Sequence, residues 1–224
     1  MPYFVLAPFF FASILICILV LGCIFLKSSF YQKRKIKVRI FLIVWFIPYF
    51  FFILFFTGPK DLDAYPPREQ APYKLPWKAG VRRFVAQGNR SFTSHRDFHE
   101  YAWDFVMANG TEILAARDGR VLEVNDGFNG IGLNSNAITI EHQDGQRSAY
   151  AHIRYHGAIV KVGGLVKQGQ PIALSGMVGQ TIFPHVHFLV INKDGTSSIP
   201  ISFAEVPGGV PLAGRFYTSE NTVP

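Results

Sequence analysis

The stretch AITIEHQDGQRSAYAH, residues 137–152, contains two short runs of strand-forming residues separated by a turn. The runs, residues 137–142 and 148–152, are rich in Ile, Thr, Tyr and Ala. Between them, the dipeptide Asp144-Gly145 favours a reversal of the chain. Strands joined by so short a connection pair antiparallel, so this stretch predicts an antiparallel β domain.

The same pattern of short runs and turn dipeptides continues through the second half of the chain. Further runs lie at residues 113–116, 119–124, 171–175 and 186–192. Further turn dipeptides are Asp118-Gly119, Asp126-Gly127 and Asp194-Gly195. No stretch after Gly58 shows a helical period of useful length. We therefore predict a mainly β fold, an antiparallel sandwich or barrel-like domain over residues 77–206, followed by a C-terminal tail at 207–224.

The first 58 residues have a different character from the rest of the chain. Residues 4–26 and 40–58 are predominantly apolar, and each segment is close to the ~20 residues needed to cross a bilayer. The loop between them, residues 27–39, carries six basic residues and no acidic one, and short basic loops stay cytoplasmic. The sequence therefore predicts a two-helix transmembrane hairpin over residues 1–58 in the inner (cytoplasmic) membrane. Everything after it is expected on the periplasmic or extracytoplasmic side.

The net charge of +7 is concentrated in and beside this hairpin. The loop holds six of the 22 basic residues and Lys60 is another, which leaves 15 basic and 15 acidic residues from Asp61 onward. A neutral exported part lacks the basic surface of a nucleic-acid-binding protein, so no nucleic-acid partner is expected. The two cysteines, Cys17 and Cys23, lie in the first apolar segment, so the exported part has neither a disulfide nor a thiol nucleophile.

A proline-rich segment, residues 59–76, separates the hairpin from the predicted β domain. Its prolines are Pro59, Pro66, Pro67, Pro72 and Pro76, and they stand among charged and small residues. Such a composition is typical of a stiff, extended spacer. We predict a tether here, with the globular domain beginning near Trp77.

The motif PHVHF, residues 184–188, carries the strongest chemical signal in the sequence. Side chains two residues apart on a strand project to the same face, so His185 and His187 are expected to converge. Converging imidazoles suit a zinc ion, although two unrelated histidines on an exposed strand are an equally good interpretation of an isolated pair. Other candidate ligands must decide between the two.

Such candidates precede the motif. His152 lies on a predicted strand, and Asp104 lies within YAWDF at residues 101–105. A buried aspartate among apolar neighbours is costly unless it is paired or bound to a metal. His95 and His99 come shortly before it. A histidine, an aspartate and a second histidine make a catalytic zinc shell that leaves the fourth position for water.

Together these motifs resemble the lysostaphin-like (LytM-type) zinc endopeptidases, which cut peptide crosslinks in bacterial peptidoglycan. The resemblance covers roughly residues 73–203. It rests on ordered matches that include QG at 87–88, SH at 94–95, YAWDF at 101–105, YAH at 150–152 and PHVHF at 184–188. It implies that His95, Asp104 and His187 are zinc ligands and that His152 and His185 are catalytic histidines.

The first ligand has an alternative. Many members of the family place three residues between the first histidine and the aspartate, whereas here His95 leaves eight and His99 leaves four before Asp104. We favour His95, because the Ser-His before it and the YAWDF after it resemble a branch of the family. His99 is then a rim residue. His142 and His156 lie beside predicted turns and are expected on the surface.

The resemblance implies a zinc-dependent endopeptidase that hydrolyses peptide crosslinks of peptidoglycan during cell-wall remodelling, and the predicted hairpin implies that it is anchored in the membrane. Its expected partners are the peptidoglycan peptide and the lipid bilayer. The alternative is a non-catalytic module of the same fold that binds peptidoglycan or regulates another hydrolase, although the complete set of candidate ligands favours an enzyme. A biotinyl or lipoyl carrier hairpin at residues 162–172 is disfavoured, because no lysine occupies the tip of the matching turn.

Overall fold

The computed structural model describes residues 61–91 and 93–224, and this part of the chain forms two antiparallel β-sheets. The strands are β1 (Arg82–Gln87), β2 (Trp103–Val106), β3 (Glu112–Leu114), β4 (Gly119–Asn125), β5 (Ala137–Glu141), β6 (Arg147–Ala151), β7 (Ile153–Ala158), β8 (Leu165–Val166), β9 (Pro171–Ser175), β10 (His185–Ile191) and β11 (Phe216–Thr218). Two single-turn 3₁₀ helices, η1 (Arg68–Gln70) and η2 (Asp97–His99), are the helical elements described.

The larger sheet has the order β11-β1-β2-β10-β6-β5-β4-β8, and the smaller has the order β3-β9-β7. Every pairing between these strands is antiparallel. The predicted mainly β, antiparallel fold is therefore confirmed. The predicted hairpin of transmembrane helices at 1–58 lies outside the described residues. Within residues 61–91 and 93–224, no helix has the length and apolar character needed to cross a bilayer.

The hairpin predicted from residues 137–152 is present as β5 and β6. Ala137 faces Ala151 and Glu141 faces Arg147 across the ladder. The turn between the strands closes through Gly145, whose φ of 81° lies in the left-handed region that favours glycine. The local sequence pattern therefore predicts this part of the sheet correctly.

Aromatic side chains from separate segments fill the main core. The ring centroids of Trp77 and Phe105 are 5.0 Å apart, and those of Trp103 and Phe203 are 5.3 Å apart. The smaller sheet adds apolar residues to the same core, among them Ile113, Ile153 and Ile172. Burial of such rings contributes most of the free energy that stabilises a domain of this kind.

Strand β10 lies in the middle of the larger sheet, between β2 and β6, and is buried along its whole length. The even-numbered residues from 186 to 190 belong to the main core. Because side chains alternate between the two faces of a strand, His185 and His187 project to the opposite face. Packing in the core thus fixes the position of the strand that carries both histidines.

The prediction of an extended tether at residues 59–76 is wrong for the part that the structure describes. Tyr65, Tyr73 and Leu75 are buried in the core of the domain. The Leu75 amide also donates a hydrogen bond to Glu205 Oε1 at 2.7 Å. Apolar side chains among the prolines attach residues 65–75 to the domain, which begins well before Trp77.

The predicted C-terminal tail, residues 207–224, is also part of the domain. Strand β11 pairs with β1 at the edge of the larger sheet. The buried Asn221 donates hydrogen bonds from Nδ2 to the carbonyl oxygens of Leu75 and Ala115, each at 3.1 Å. These long-range contacts carry no local sequence signal, which explains why the sequence predicted a tail.

His142 is buried, so the expectation that it lies on the surface is wrong. It follows β5 on the face of Ile138 and Ile140, which points into the core. Its Nδ1 donates a hydrogen bond to the Asp118 carbonyl oxygen at 2.8 Å, and its Nε2 is 3.1 Å from Ser148 Oγ. His156, by contrast, is exposed as expected.

Candidate metal centre

Three neighbouring strands of the larger sheet bring the predicted site residues together. Across the β2–β10 ladder, His187 faces Asp104, and across the β10–β6 ladder it faces Ala151. His152 follows Ala151 directly, so it lies beside the same two strands. Residues far apart in sequence thus meet because β2, β10 and β6 are adjacent.

A first group of possible metal ligands consists of His95, Asp104 and His187, with one ligand atom from each lying within 4.8 Å of the others. Asp104 Oδ1 is 2.8 Å from His187 Nδ1 and 3.2 Å from His95 Nε2. All three side chains are buried. The structure therefore places the three predicted zinc ligands around one point.

His95 is oriented by the end of strand β1. Its Nδ1 lies 2.7 Å from the carbonyl oxygen of Gly88. A carbonyl oxygen only accepts hydrogen bonds, so Nδ1 carries a proton, and the other ring nitrogen, Nε2, is the one that faces Asp104. A metal-binding histidine typically donates its other ring N–H to such a carbonyl.

A second group consists of His152, His185 and His187, again with ligand atoms within 4.8 Å of one another. His152 Nδ1 is 2.8 Å from the Val178 carbonyl oxygen, and His185 Nδ1 is 2.9 Å from that of Phe183. By the same reasoning both histidines donate from Nδ1, and His185 Nε2 then faces Asp104 Oδ1 at 3.3 Å. Their ring centroids are 4.6 Å apart, so the two predicted catalytic histidines form an adjacent pair.

His152 has an unusual backbone conformation. Its φ of 62° lies in the left-handed region, which costs a residue with a β-carbon about 1 kcal/mol or more. Ser135 Oγ stabilises this position, at 3.1 Å from His152 Nδ1 and 3.3 Å from its amide nitrogen. Such backbone conformations cluster at functional sites.

The burial of the centre and its single carboxylate determine its charge state. Burial raises the pKa of Asp104, but the His95 imidazole and hydrogen bonds from His185 and His187 outweigh burial and hold that pKa well below its usual value. Burial lowers the pKa of His187 to about 4 despite its hydrogen bond to Asp104. Burial and the nearby His185 likewise lower the pKa of His152. Burial lowers the pKa of His185 as well, but the hydrogen bond and charge of Asp104 outweigh it and raise that pKa. At neutral pH the centre therefore offers an ionised Asp104 carboxylate beside neutral imidazoles at His152 and His187.

This donor set fits a zinc ion. Two imidazole nitrogens, from His95 and His187, and one carboxylate oxygen, from Asp104, form the three-ligand shell of a catalytic zinc site with an open fourth position. His152 and His185 lie where they can act on a substrate next to that position. The chemistry open to such a centre is metal-assisted hydrolysis.

His99 belongs to neither group of possible ligands. It ends the short helix η2 with an exposed side chain, and its Nδ1 lies 3.1 Å from His187 Nε2. This is the nitrogen of His187 that does not contact Asp104. Of the two alternatives for the first ligand, the structure therefore groups His95, and not His99, with Asp104 and His187.

Gln87 is a site residue whose role the sequence did not predict. A register shift between Val85 and Gln87 makes Gln87 the partner of Asp104 across β1 and β2. Its Nε2 donates a hydrogen bond to Asp104 Oδ2 at 2.8 Å, which leaves Oδ1 for the histidines. Its Oε1 accepts hydrogen bonds from the hydroxyl groups of Ser91, Thr93 and Ser94. The sequence signal was the Gln-Gly motif, but its role depends on the β-bulge.

Comparison with known proteins agrees with this geometry. Residues 98–200 match the sequence model of a family described as Peptidase family M23. Lysostaphin of Staphylococcus simulans is 32% identical over 125 residues, which cover 54% of this chain and 24% of lysostaphin. The murein hydrolase activator EnvC of Escherichia coli is 40% identical over 93 residues, which cover 42% of this chain and 20% of EnvC. The chain thus matches about a quarter or less of the length of either relative.

A solved structure shares the fold. The deep-sea M23 metalloprotease pseudoalterin has a TM-score of 0.50 and 16% sequence identity, with coverage of 66% of this chain and 99% of pseudoalterin. At this level of identity the similarity concerns the fold alone. The matched family range contains Asp104, His152, His185 and His187, and it begins shortly after His95.

Proposed function

We propose that this chain is a zinc-dependent endopeptidase that hydrolyses peptide crosslinks of bacterial peptidoglycan, because residues 98–200 match the sequence model of Peptidase family M23. The observation that carries the proposal is the grouping of His95, Asp104 and His187 beside the pair His152 and His185. A domain that only bound its substrate would not need buried ligands for a metal together with two further oriented imidazoles.

Three residues of the protein would hold the metal, and two further histidines would transfer protons. Held by His95, Asp104 and His187, zinc would supply Lewis acidity toward a substrate carbonyl and an attacking water. His152 and His185 each present Nε2 to the centre while Nδ1 is anchored on a backbone carbonyl. Such imidazoles take up the proton of the attacking water, deliver it to the leaving amine and stabilise the developing oxyanion.

We also propose that the protein is anchored in the cytoplasmic membrane with this domain outside. The two apolar segments at 4–26 and 40–58 and the basic loop at 27–39 support this topology. A peptidoglycan substrate requires the same placement. A phosphatase or fluorescent reporter fused after Pro224 should indicate an extracytoplasmic C-terminus, and a cytoplasmic signal would contradict the proposal.

The activity is tested with the full-length protein purified in detergent. After removal of metal by a chelator, the protein should release no peptides from purified peptidoglycan, and addition of about one equivalent of zinc should restore release. Magnesium is the control, since it prefers oxygen ligands and six-coordinate geometry and should restore nothing. If the zinc-loaded protein leaves the crosslinks intact, the proposed activity is wrong.

A non-catalytic role in activating another hydrolase is the second candidate, and the similarity to the murein hydrolase activator EnvC is the observation in its favour. The retention of all five site residues argues against it. The two functions differ in one outcome. An activator would leave peptidoglycan intact alone but increase its breakdown by an added hydrolase, and His152→Ala would not change that increase.

A further inference from the structure

Three histidines of the centre are anchored in the same way. The outward-facing Nδ1 of each contacts a backbone carbonyl oxygen: Gly88 for His95, Val178 for His152 and Phe183 for His185. A carbonyl oxygen only accepts hydrogen bonds, so it requires a proton on Nδ1 of its histidine.

His187 is anchored differently. Its Nδ1 faces Asp104 Oδ1 at 2.8 Å, and its Nε2 faces His99 Nδ1 at 3.1 Å. The planes of the two imidazoles are 66° apart and their centroids are 5.1 Å apart, so the rings meet edge to face. An imidazole nitrogen, unlike a carbonyl oxygen, is either a donor or an acceptor.

The backbone around His99 is firmly placed although its side chain is exposed. The His99 amide donates a hydrogen bond to the Arg96 carbonyl oxygen at 2.9 Å, and the His99 carbonyl accepts one from Ala102 at 3.0 Å. The Phe98 ring lies 5.3 Å from the His99 ring. This short turn therefore fixes the position from which the imidazole reaches His187.

We infer that His99 is a positioning residue that holds His187 in the orientation needed to bind zinc through Nδ1. The inference rests on the proposed zinc site. Metal binding at Nδ1 leaves the proton of a neutral His187 on Nε2, where His99 Nδ1 accepts a hydrogen bond from it. Without the metal, His187 donates from Nδ1 to Asp104 and accepts from His99. The His99 imidazole thus provides a hydrogen-bond partner for His187 Nε2 both with and without the metal.

A role for His99 as a direct ligand does not agree with the contacts. The nitrogen of His187 that His99 touches is the one facing away from Asp104. His99 and Asp104 would therefore lie on opposite sides of the His187 ring. The His99 ring also contacts the rings of Phe98 and His187, but the residue is exposed, so these contacts bury little apolar surface.

The test compares His99→Leu, which has no hydrogen-bonding group, with His99→Gln, whose amide both donates and accepts. Zinc affinity of the full-length protein is measured by competition with a chromophoric chelator. His99→Leu should weaken zinc binding by roughly 10–100-fold, the usual effect of losing the hydrogen-bond partner of a ligand, and His99→Gln should restore most of it. The absorption spectrum of the cobalt-substituted protein should change more in His99→Leu than in His99→Gln.

His156→Asn is the control, since it removes an exposed imidazole outside the centre at a positive φ of 49° that asparagine tolerates. Unchanged zinc affinity in His99→Leu overturns the inference, as does a His99→Gln variant as weak as His99→Leu. In either case the parent still binds zinc, and the proposed function survives. A parent protein that binds no zinc overturns both.

Discussion

The two faces of strand β10 are equally buried but differ in chemistry. The even-numbered residues from 186 to 190 pack into the main core, where contacts are apolar and have no required direction. His185 and His187 occupy the other face, and each of their ring nitrogens has a specific partner. Burial therefore does not distinguish the two faces, whereas the need for directed partners does.

This difference shows how the fold supports the site. The apolar face holds β10 between β2 and β6, and that placement brings Asp104 and His152 to the histidine face. Changes on the apolar face should reduce stability and leave the chemistry of the folded fraction intact. Changes at His185 and His187 should impair the chemistry and leave the stability of the fold largely intact.

The largest effect is expected from the histidine face itself. His187→Ala should remove zinc from the full-length protein and reduce peptide release to that of a protein-free control. His185→Ala should retain zinc but reduce the rate by about 10²–10⁴-fold, the usual contribution of a general acid or base. Metal analysis and release of peptides from purified peptidoglycan measure the two effects. Equal zinc loss in both variants would contradict the separate roles.

Phe188→Ala tests the apolar face between the same two histidines. Phe188 is fully buried, with its ring 5.2 Å from that of Tyr150. Its truncation should lower the free energy of unfolding by about 3–5 kcal/mol, measured by denaturant titration. Under conditions where the variant stays folded, its zinc content should match that of the parent. A loss of zinc from folded Phe188→Ala would show that the faces are not separable.

Gln87→Leu should have a smaller effect, on metal affinity alone. The substitution removes the hydrogen bond to Asp104 Oδ2 and the acceptor of three nearby hydroxyl groups, and it leaves every proposed ligand in place. Zinc affinity should fall by roughly 10–100-fold, measured by chelator competition. Gln168→Leu is the matched control, because Gln168 Nε2 donates to the carbonyl oxygens of Pro72 and Ala116 and to no site residue. Equal affinities for the two variants would contradict a role for Gln87.

The smallest effect concerns His142, a buried histidine outside the centre. Burial lowers its pKa in the folded state, so the unfolded chain takes up a proton first as the pH falls. Its stabilising contribution is therefore complete above the unfolded pKa of about 6.5 and declines below it, by at most ~1.4 kcal/mol per pH unit, until the folded pKa is reached. Denaturant titration between about pH 8 and about pH 5, a range that includes the unfolded pKa, should show a shallower decline for His142→Gln than for the parent. Parallel curves would contradict this account.

Much of this fold and site follows from sequence patterns that are local. The alternation at residues 137–152 predicts β5 and β6, and the spacing of His185 and His187 predicts that they share a face. Both features depend only on the period of a strand. The combination of these histidines with His95 and Asp104 came from the resemblance to a family, because no local rule relates residues on different strands.

The features that the sequence did not reveal depend on contacts between distant segments. Tyr65 and Leu75 pack into the core from a proline-rich segment that reads as a spacer. The contact of Gln87 with Asp104 exists because β1 shifts register just before it. His142 is buried against the Asp118 carbonyl oxygen and Ser148 Oγ, and its position beside a predicted turn gave no sign of these contacts.

The most direct test of the account is the position of zinc in crystals of the protein, located by anomalous scattering at the zinc absorption edge. We predict one zinc ion bound by His95 Nε2, Asp104 and His187 Nδ1, with His152 and His185 beside it and His99 hydrogen-bonded to His187 Nε2. A zinc ion bound by His99 in place of His95, or a centre that stays empty with zinc in excess, would contradict it.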